Sequence, residues 1–333
     1  MSRQIVPVFV GLDYHRNSVQ VCVLDEPGQV LTNRCCPNDV AAVAEAITRH
    51  GHPERLALES CTGAADFAQR LVDEFRWDVR LAHPGYVNRM KTSLDKTDAG
   101  DARLLADLVR VRYLPEVWLA PTSIRDLRSV MHLRQRAARD RRVAKQQVAA
   151  LLRDRRIEEP EGRRWTRAWL MTTDAVTETI RFVIDDLLEH LQTVEARLTR
   201  IERRLQAMTR DDRVVEALLA LPGIGPITAW MLRATVGRFD RFRNAKQFAR
   251  FIGVTPRNAS SGERVADAGI VKAGNRELKG VVVQAAQRIK RHHERWAALF
   301  QRLVSQGKPK NVATVAVANR WMRSVYTQMK DLH

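Results

Sequence analysis

Four carboxylates in the first third of the chain have a spacing that suits binding of a divalent cation. Asp13 and Glu59 each end an apolar run that is predicted to be a strand, and Asp98 and Asp101 lie three residues apart on one face of a predicted helix. Carboxylates at the ends of neighbouring strands repel one another unless a hard cation binds them. Oxygen ligands suit Mg²⁺ or Mn²⁺, and two such ions would stabilise the attacking and leaving oxygens of a phosphodiester. Taken singly, Asp98 could be a helix N-cap and Glu59 a solvated strand end.

A second group of candidate residues lies in a polar loop predicted over residues 255–262. Ser261 directly precedes a glycine in this loop, and Ser260 is its immediate neighbour. A serine hydroxyl is a weak nucleophile until a base or a metal activates it, and the loop itself offers only Glu263 for that purpose. Either serine could equally stabilise an ordinary turn, so the loop alone does not identify a nucleophile.

Several residues have the chemistry to bind phosphate. In the turn LPGIG, Gly223 and Gly225 would let backbone N–H groups and a helix N-terminus approach an anion, although any tight turn between helices would use the same glycines. Basic side chains near the serine loop and along a long basic helix could neutralise phosphates, or could simply be solvated. These basic candidates are Arg139, Arg142, Lys145, Arg257, Lys272 and Arg276.

The charge of the chain is unevenly distributed. The 333 residues contain 56 Lys and Arg against 38 Asp and Glu, a formal net charge of +18. Residues 1–120 contain 14 basic and 16 acidic residues, whereas residues 121–333 contain 42 and 22. Such a basic surplus repels itself unless a polyanion neutralises it, which favours nucleic acid as a partner over an acidic membrane surface.

Composition excludes several classes of protein. With 45% hydrophobic residues and only four cysteines, the chain is neither a disordered tail nor a small disulfide scaffold. No run approaches the roughly 18 apolar residues that would span a membrane, and no signal peptide is recognisable at the N-terminus. We therefore expect a cytoplasmic protein without a membrane partner.

The elements that must position these residues follow from the apolar pattern. An antiparallel meander, followed by alternating helices and strands, predicts an α/β domain with a mixed sheet over residues 1–118. A basic helical segment is predicted over 119–172, followed after the heptad region by a mainly helical domain over 211–333. Within this domain a long helix is predicted from the loop at 272–275 to about residue 304.

Between these segments, residues 173–210 contain four heptads of apolar residues, which predict a coiled coil. Pairing with the preceding basic helix of the same chain and pairing between two chains are both compatible with this pattern. The heptad positions are Ile180, Ile184, Leu187, Leu191, Val194, Leu198, Ile201, Leu205 and Met208.

The motifs around the candidate residues resemble a known family. VGLDYH with Asp13, ALESCTG with Glu59, and DKTDAGDARLLA with Asp98 and Asp101 resemble the DEDD tetrad of bacterial insertion-sequence transposases related to the Piv invertase. These enzymes are described as bridge-RNA-guided recombinases. LPGIGPITA, FARFIGVTPRNASSGE and KAGNRELK resemble the family's C-terminal domain in order and spacing, so that the resemblance extends from Val10 to about residue 287.

The resemblance implies more than the residues themselves show. It implies an RNase H-like (RuvC-like) N-terminal domain, an all-α coiled-coil insertion and a mainly helical C-terminal transposase domain. It further implies that Ser261 is the nucleophile and that Asp13, Glu59, Asp98 and Asp101 are catalytic ligands of Mg²⁺. The implied partners are donor and target double-stranded DNA, a structured bridge RNA and further copies of the chain in a dimer or tetramer, at the bacterial nucleoid.

Two other functions remain compatible with the sequence. A metal-only nuclease resembling a Holliday-junction resolvase would need the acidic residues but no serine. A DNA-binding or architectural protein without catalytic activity would need neither.

Overall fold

The chain is described here by a computed structural model that covers residues 7–91, 97–158, 165–173, 176–258, 267–270 and 274–332. It divides into two compact units, Met1–Thr122 and Ser123–His333. The first unit has a net charge of −2 and the second of +20. The acidic candidates therefore lie in one unit, and the basic surplus lies in the other.

The first unit is built on a six-stranded mixed sheet with the order β3-β2-β1-β4-β5-β6. β1, β2 and β3 form the antiparallel meander, β4 and β5 join β1 in parallel, and β6 is antiparallel to β5. This confirms the mixed sheet predicted from the sequence. The strands are β1 Pro7–Tyr14, β2 Ser18–Leu24, β3 Val30–Pro37, β4 His52–Glu59, β5 Val79–Ala82 and β6 Glu116–Val117.

Helices cover both faces of this sheet. Val8, Val10 and Leu12 of β1 lie in the buried cluster that includes residues of α1 and α2, whereas Phe9 lies in a cluster with residues of α3 and α4 on the opposite face. The two clusters follow from the alternation of side chains along a strand. The helices are α1 Val40–Thr48, α2 Ala64–Phe75, α3 Pro84–Met90 and α4 Asp98–Arg110.

The N-cap of α4 is not Asp98, which the sequence offered as one possibility. Thr97 is the N-cap, and its hydroxyl accepts a hydrogen bond of 3.1 Å from the N–H of Gly100. Asp98 is therefore the first residue inside the helix, with its carboxylate available for other contacts. The sequence also did not predict the short helix α3, which ends at the acidic residues.

Gly11 sets the distance between β1 and α4. A Cβ at this position would lie 1.9 Å from the carbonyl oxygen of Ala102 and 2.4 Å from the backbone nitrogen of Ala106. No side chain larger than hydrogen fits between the strand and the helix backbone. This close approach places the first turn of α4 above the carboxyl end of β1.

We expect Gly11→Ala to lower the free energy of unfolding by about 1–3 kcal/mol, because α4 must move away from the sheet to admit the methyl group. Denaturant unfolding of the full chain measures this change. Gly280→Ala is the matched control, since a Cβ at this helical glycine has no neighbour within 4 Å. That substitution should stabilise the protein by roughly 0.5–1 kcal/mol. Equal effects of the two substitutions would contradict the packing role of Gly11.

The second unit is predominantly helical, with one small hairpin of two antiparallel strands, β7 Pro256–Asn258 and β8 Asp267–Ile270. Among the described residues, none of the helices is long and apolar enough to cross a membrane. Trp230, Trp296 and Trp321 are buried in its core. The helices are α5 Thr122–Asp154, α6 Arg167–Thr172, α7 Glu178–Met208, α8 Arg213–Leu219, α9 Pro226–Val236, α10 Ala245–Ile252, α11 Arg276–His292, α12 Glu294–Ser305 and α13 Lys310–Met329.

The two long helices α5 and α7 lie side by side within one chain and run in opposite directions. Arg134 of α5 pairs with Glu202 of α7 at 2.8 Å, and Lys145 pairs with Glu195 at 3.5 Å. All the predicted heptad positions of α7 except two are buried; Leu187 and Met208 are half-buried. The basic helix therefore buries an apolar stripe against α7 and also exposes cations.

Two sequence predictions in this unit were wrong in detail. The helix predicted to continue to residue 304 is broken at His293, whose backbone is extended (φ −121°, ψ 116°). The break lets α12 fold back into contact with α11, which one straight helix could not do. The predicted polar loop also includes a strand, since residues 256–258 pair with β8.

Candidate active site

The pairing of β1 with β4 brings the first two acidic residues together. The strands are parallel, and Leu12 is paired with Leu58, so that Asp13 and Glu59 follow at equivalent positions at the carboxyl ends. By strand alternation both residues belong to the sheet face that α4 covers, because Phe9 and Ala57 of the same parity pack against that helix.

The first turn of α4 adds the other two carboxylates on the same face. Asp98 and Asp101 lie in this turn, and their charges both act on Asp13. The four acidic residues predicted from the sequence are therefore gathered at one edge of the sheet. The side chain of Glu59 is half-buried and interacts with another group of the protein.

His15 lies between two of these carboxylates. Its Nε2 atom is 3.1 Å from Asp13 Oδ2 and 3.4 Å from Asp98 Oδ1. One ligand atom from each of the three residues lies within 4.8 Å of the other two, which is a spacing that a single metal ion can bridge. The candidate ligands are therefore a mixed oxygen and nitrogen set, whereas the sequence predicted oxygen ligands alone.

Asp101 has a different partner. Lys91 follows the last residue of α3, and its Nζ donates a hydrogen bond of 2.7 Å to Asp101 Oδ2. The two side chains are only 19% and 14% exposed. One carboxylate of the four is thus neutralised by a shielded ammonium group.

Burial raises the pKa of Asp13 above its ordinary value of 3.8. The charge and the hydrogen bond of His15 lower this pKa, while the charges of Asp98 and Asp101 raise it. Without a metal, the ionised form of Asp13 is therefore destabilised by its surroundings. A divalent cation would remove this cost, because it stabilises the ionised form.

The raised pKa predicts how Asp13→Asn affects stability without metal. The folded protein holds the Asp13 proton more tightly than the unfolded chain, so this residue stabilises the fold below pH 3.8 and loses that contribution as pH rises through the folded-state pKa. At pH 7 in EDTA we expect the asparagine variant to unfold at a higher temperature than the wild type. The difference should shrink as the pH is lowered towards 4.

Magnesium should reverse this order. A ligand that binds only the folded state stabilises it in proportion to the logarithm of its concentration. Thermal unfolding in MgCl₂ should therefore show a concentration-dependent rise in Tm for the wild type and none for Asp13→Asn. A rise of equal size in both proteins would place the bound ion elsewhere.

Cys61 lies beside the acidic residues but is not suited to be a nucleophile. Its Sγ is 3.9 Å from the carbonyl oxygen of Tyr14. Burial and the charges of Glu59 and Asp13 raise the pKa of the thiol above 9.0, so that it stays protonated at neutral pH. All four cysteines of the chain, Cys22, Cys35, Cys36 and Cys61, are free thiols in the structure.

The serine candidates are assigned from the sequence. Ser260, Ser261 and Lys272 lie outside the described residues, and so does the side chain of Arg257. Arg276 is exposed at the first position of α11, next to Asn275, which caps that helix by accepting hydrogen bonds from the N–H groups of Glu277 and Leu278. The role of Ser261 therefore rests on the family motif.

Packing explains one of the two candidate glycines, Gly223, in the turn between α8 and α9. Gly223 has a positive φ of 82°, and a Cβ there would lie 2.7 Å from the side chain of Ile289. Gly225 is the N-cap of α9 and has no neighbour within 4 Å of an added Cβ. Of these two glycines, it is Gly225 that has open space next to a helix N-terminus.

The basic residues predicted on α5 are exposed. Arg139, Arg142 and Lys145 all reach solvent, and Arg139 lies 3.7 Å from Glu277 in the first turn of α11. Exposed ion pairs of this kind contribute little to stability, so these cations remain available to a polyanion.

Comparison with known proteins gives this arrangement a context. A profile of the DEDD type described as "Transposase" matches residues 10–155, and one described as "Transposase IS116/IS110/IS902 family" matches residues 215–301. A protein of Pseudomonas aeruginosa named "Probable family 20 transposase" is 30% identical over 95% of this chain and 95% of its own length. The chain belongs to the IS110/IS116 family of transposases.

Other relatives of this transposase support the assignment. The transposase for insertion sequence element IS1111A of Coxiella burnetii is 24% identical and covers 93% of the chain and 86% of its own length. The pilin gene-inverting protein of Moraxella lacunata is 24% identical, with coverages of 76% and 73%. The transposase is accordingly an enzyme that cuts and joins DNA, which decides against an architectural protein without catalytic activity.

Two residues of the candidate site, His15 and Lys91, were not predicted from the sequence. His15 is two residues after Asp13 at the end of a strand, and that spacing alone places it on the same face. Lys91 had no such signal, because its partner Asp101 is ten residues away and belongs to another helix.

Proposed function

We propose that this transposase moves its insertion sequence by site-specific recombination, with Ser261 as nucleophile and with Mg²⁺ held by Asp13, Glu59, Asp98 and Asp101. The observation that carries the proposal is the convergence of these four carboxylates at the carboxyl ends of β1 and β4. The strand order, an antiparallel meander followed by parallel strands, supports the RNase H-like fold that the family resemblance implies.

The residues present fit a divalent cation. Ligand atoms of Asp13, His15 and Asp98 lie close enough to share one ion, and the crowding of carboxylates there favours a cation. A bound Mg²⁺ would act as a Lewis acid at the scissile phosphate. The four carboxylates would hold the ion, and His15 Nε2 lies close enough to Asp13 and Asp98 to ligate it as well. An imidazole ligand makes Mn²⁺ an acceptable substitute.

The role of Ser261 is supported by the family motif. Its hydroxyl would lose its proton and attack a DNA phosphate, breaking one P–O bond of the strand and releasing a free DNA hydroxyl that takes up a proton. The other strand end would remain joined to the serine through the phosphate, so that a DNA hydroxyl can later displace the serine and rejoin the strand. A relative that inverts a pilin gene supports recombination between two DNA segments as the reaction type.

The basic second unit would bind the nucleic acids. We assign donor and target DNA, and a structured bridge RNA from the element, to surfaces that include Arg139, Arg142, Lys145 and the turn at Gly225. Arg257, Lys272 and Arg276 are assigned to phosphates near the serine. An active homo-oligomer, a dimer or a tetramer at the nucleoid, would hold both DNA substrates.

The experiment that tests this function begins with the nucleic acid that co-purifies with the protein. We expect sequencing to return a structured noncoding RNA with segments complementary to a donor and a target. Purified protein with that RNA should then recombine matching DNA, and RNA with altered complementary segments should redirect it. Recombination that proceeds fully after ribonuclease treatment would contradict RNA guidance while leaving the transposase activity intact.

A further inference from the structure

We propose that the site binds a single metal ion and that the ammonium group of Lys91 takes the place of a second one. This inference rests on the proposed metal-dependent function. It assigns Lys91 as a positioning residue that neutralises Asp101 at Oδ2, so that Asp101 can ligate the ion only through its other oxygen, Oδ1.

The acidic cluster is divided into two parts with different partners. On one side, Asp13, His15 and Asp98 offer ligand atoms within 4.8 Å of one another. On the other side, Asp101 is bound by Lys91 at 2.7 Å. The first part has the form of a cation site, whereas the second already contains a positive charge.

A second metal ion would have to compete with this lysine. Two catalytic ions lie about 3.5–4 Å apart and share a carboxylate or a phosphate oxygen, so both need free carboxylate oxygens at the site. Lys91 and Asp101 form a well-shielded pair, and separating such a pair leaves a charge without compensation. Lys91 is therefore favoured over a second metal ion at Asp101, because the ion must first lose bound water molecules.

The position of Lys91 is determined by the fold. It follows α3, whose Val87 is buried in the same cluster as Ala82, Leu105 and Val109. The helix is thereby held against α4, and the lysine at its end meets the first turn of α4. An ammonium group has three N–H donors, so Lys91 can also contact a DNA phosphate while it holds Asp101.

The test counts Mn²⁺ ions bound to the full-length protein, freed of nucleic acid, from the loss of the free-ion EPR signal during titration. We expect one ion per chain in the wild type. Lys91→Met removes the charge but keeps the length, leaving Asp101 uncompensated beside Asp13 and Asp98, and should bind two. Lys91→Arg retains a cation and should bind one. Asp13→Asn in the wild-type background should lose the ion.

Each other outcome is decisive. Two ions in the wild type would overturn the role of Lys91 while supporting the metal-dependent function. One ion in Lys91→Met, with a folded protein by circular dichroism, would reduce the lysine to a structural contact. No ion in the wild type would overturn both this inference and the proposed function. Arg89→Ala, which removes a neighbouring cation that faces Tyr86, should leave the count at one.

Discussion

Ser261→Ala is expected to abolish strand exchange and the covalent protein–DNA adduct while leaving DNA and RNA binding unchanged. The substitution removes only the hydroxyl that would attack the phosphate, and alanine is accepted in a polar loop without loss of charge. Denaturing gel electrophoresis of the reaction with labelled DNA detects the adduct, and filter binding measures retention of both nucleic acids.

Ser260→Ala is the matched control, because it removes the adjacent hydroxyl from the same loop. We expect it to retain both adduct and recombination. The opposite result, with Ser260→Ala inactive and Ser261→Ala fully active, would identify Ser260 as the nucleophile in place of Ser261. Free DNA ends from both serine variants, lost only when the acidic residues are changed, would favour the metal-only nuclease.

Asp13→Asn and Glu59→Gln are expected to lower the rate of cleavage by about 10³-fold or more. A metal ion acting as a Lewis acid contributes several kcal/mol to the transition state, and each 1.36 kcal/mol corresponds to tenfold in rate. Both substitutions preserve shape and remove a negative charge from the carboxyl ends of β1 and β4. Single-turnover cleavage at saturating Mg²⁺ measures the effect.

Asp107→Asn provides the control for charge on the same helix. Asp107 lies two turns further along α4, is half exposed and pairs with Arg110. We expect its substitution to change the rate by less than about threefold, since surface ion pairs contribute little. A comparable loss in Asp107→Asn and Asp13→Asn would mean that general charge, rather than the cluster, supports the reaction.

The two units differ strongly in net charge. The first, with a net charge of −2, concentrates carboxylates at one edge of its sheet, while the second carries the surplus of +20. The total of +18 therefore understates the basic surface, because the carboxylates that would hold the proposed metal ion are counted against it. Lys91 adds a cation inside the acidic site itself.

Much of the fold follows from local patterns. Period-two and period-3.6 alternation of apolar residues predicted the meander, the mixed sheet and the long helices, since burying one face requires only that local pattern. The short helix α3 was missed although Pro84 stands at its first position, because seven residues are too few to show a helical period of apolar residues. The break at His293 was missed because no glycine or proline marks it.

The types of residue at the candidate site were also readable from the chain alone. Asp13 and Glu59 end apolar runs, and their shared edge follows if the two strands are neighbours. The sequence could not establish that adjacency, which depends on the crossover that pairs β1 with β4 in parallel. It likewise could not show that Gly11 brings α4 onto the sheet, because that contact joins residues about ninety positions apart.

Sequence alone thus determined the family, the four carboxylates and the separation of acidic and basic halves, because these depend on residue identity and local spacing. The tertiary structure decided which side chains share the site. It placed His15 between Asp13 and Asp98, and it paired Asp101 with Lys91. Such partnerships depend on how helices and strands pack in three dimensions, and a distance of 2.7 Å between side chains of different helices has no signature in the order of residues.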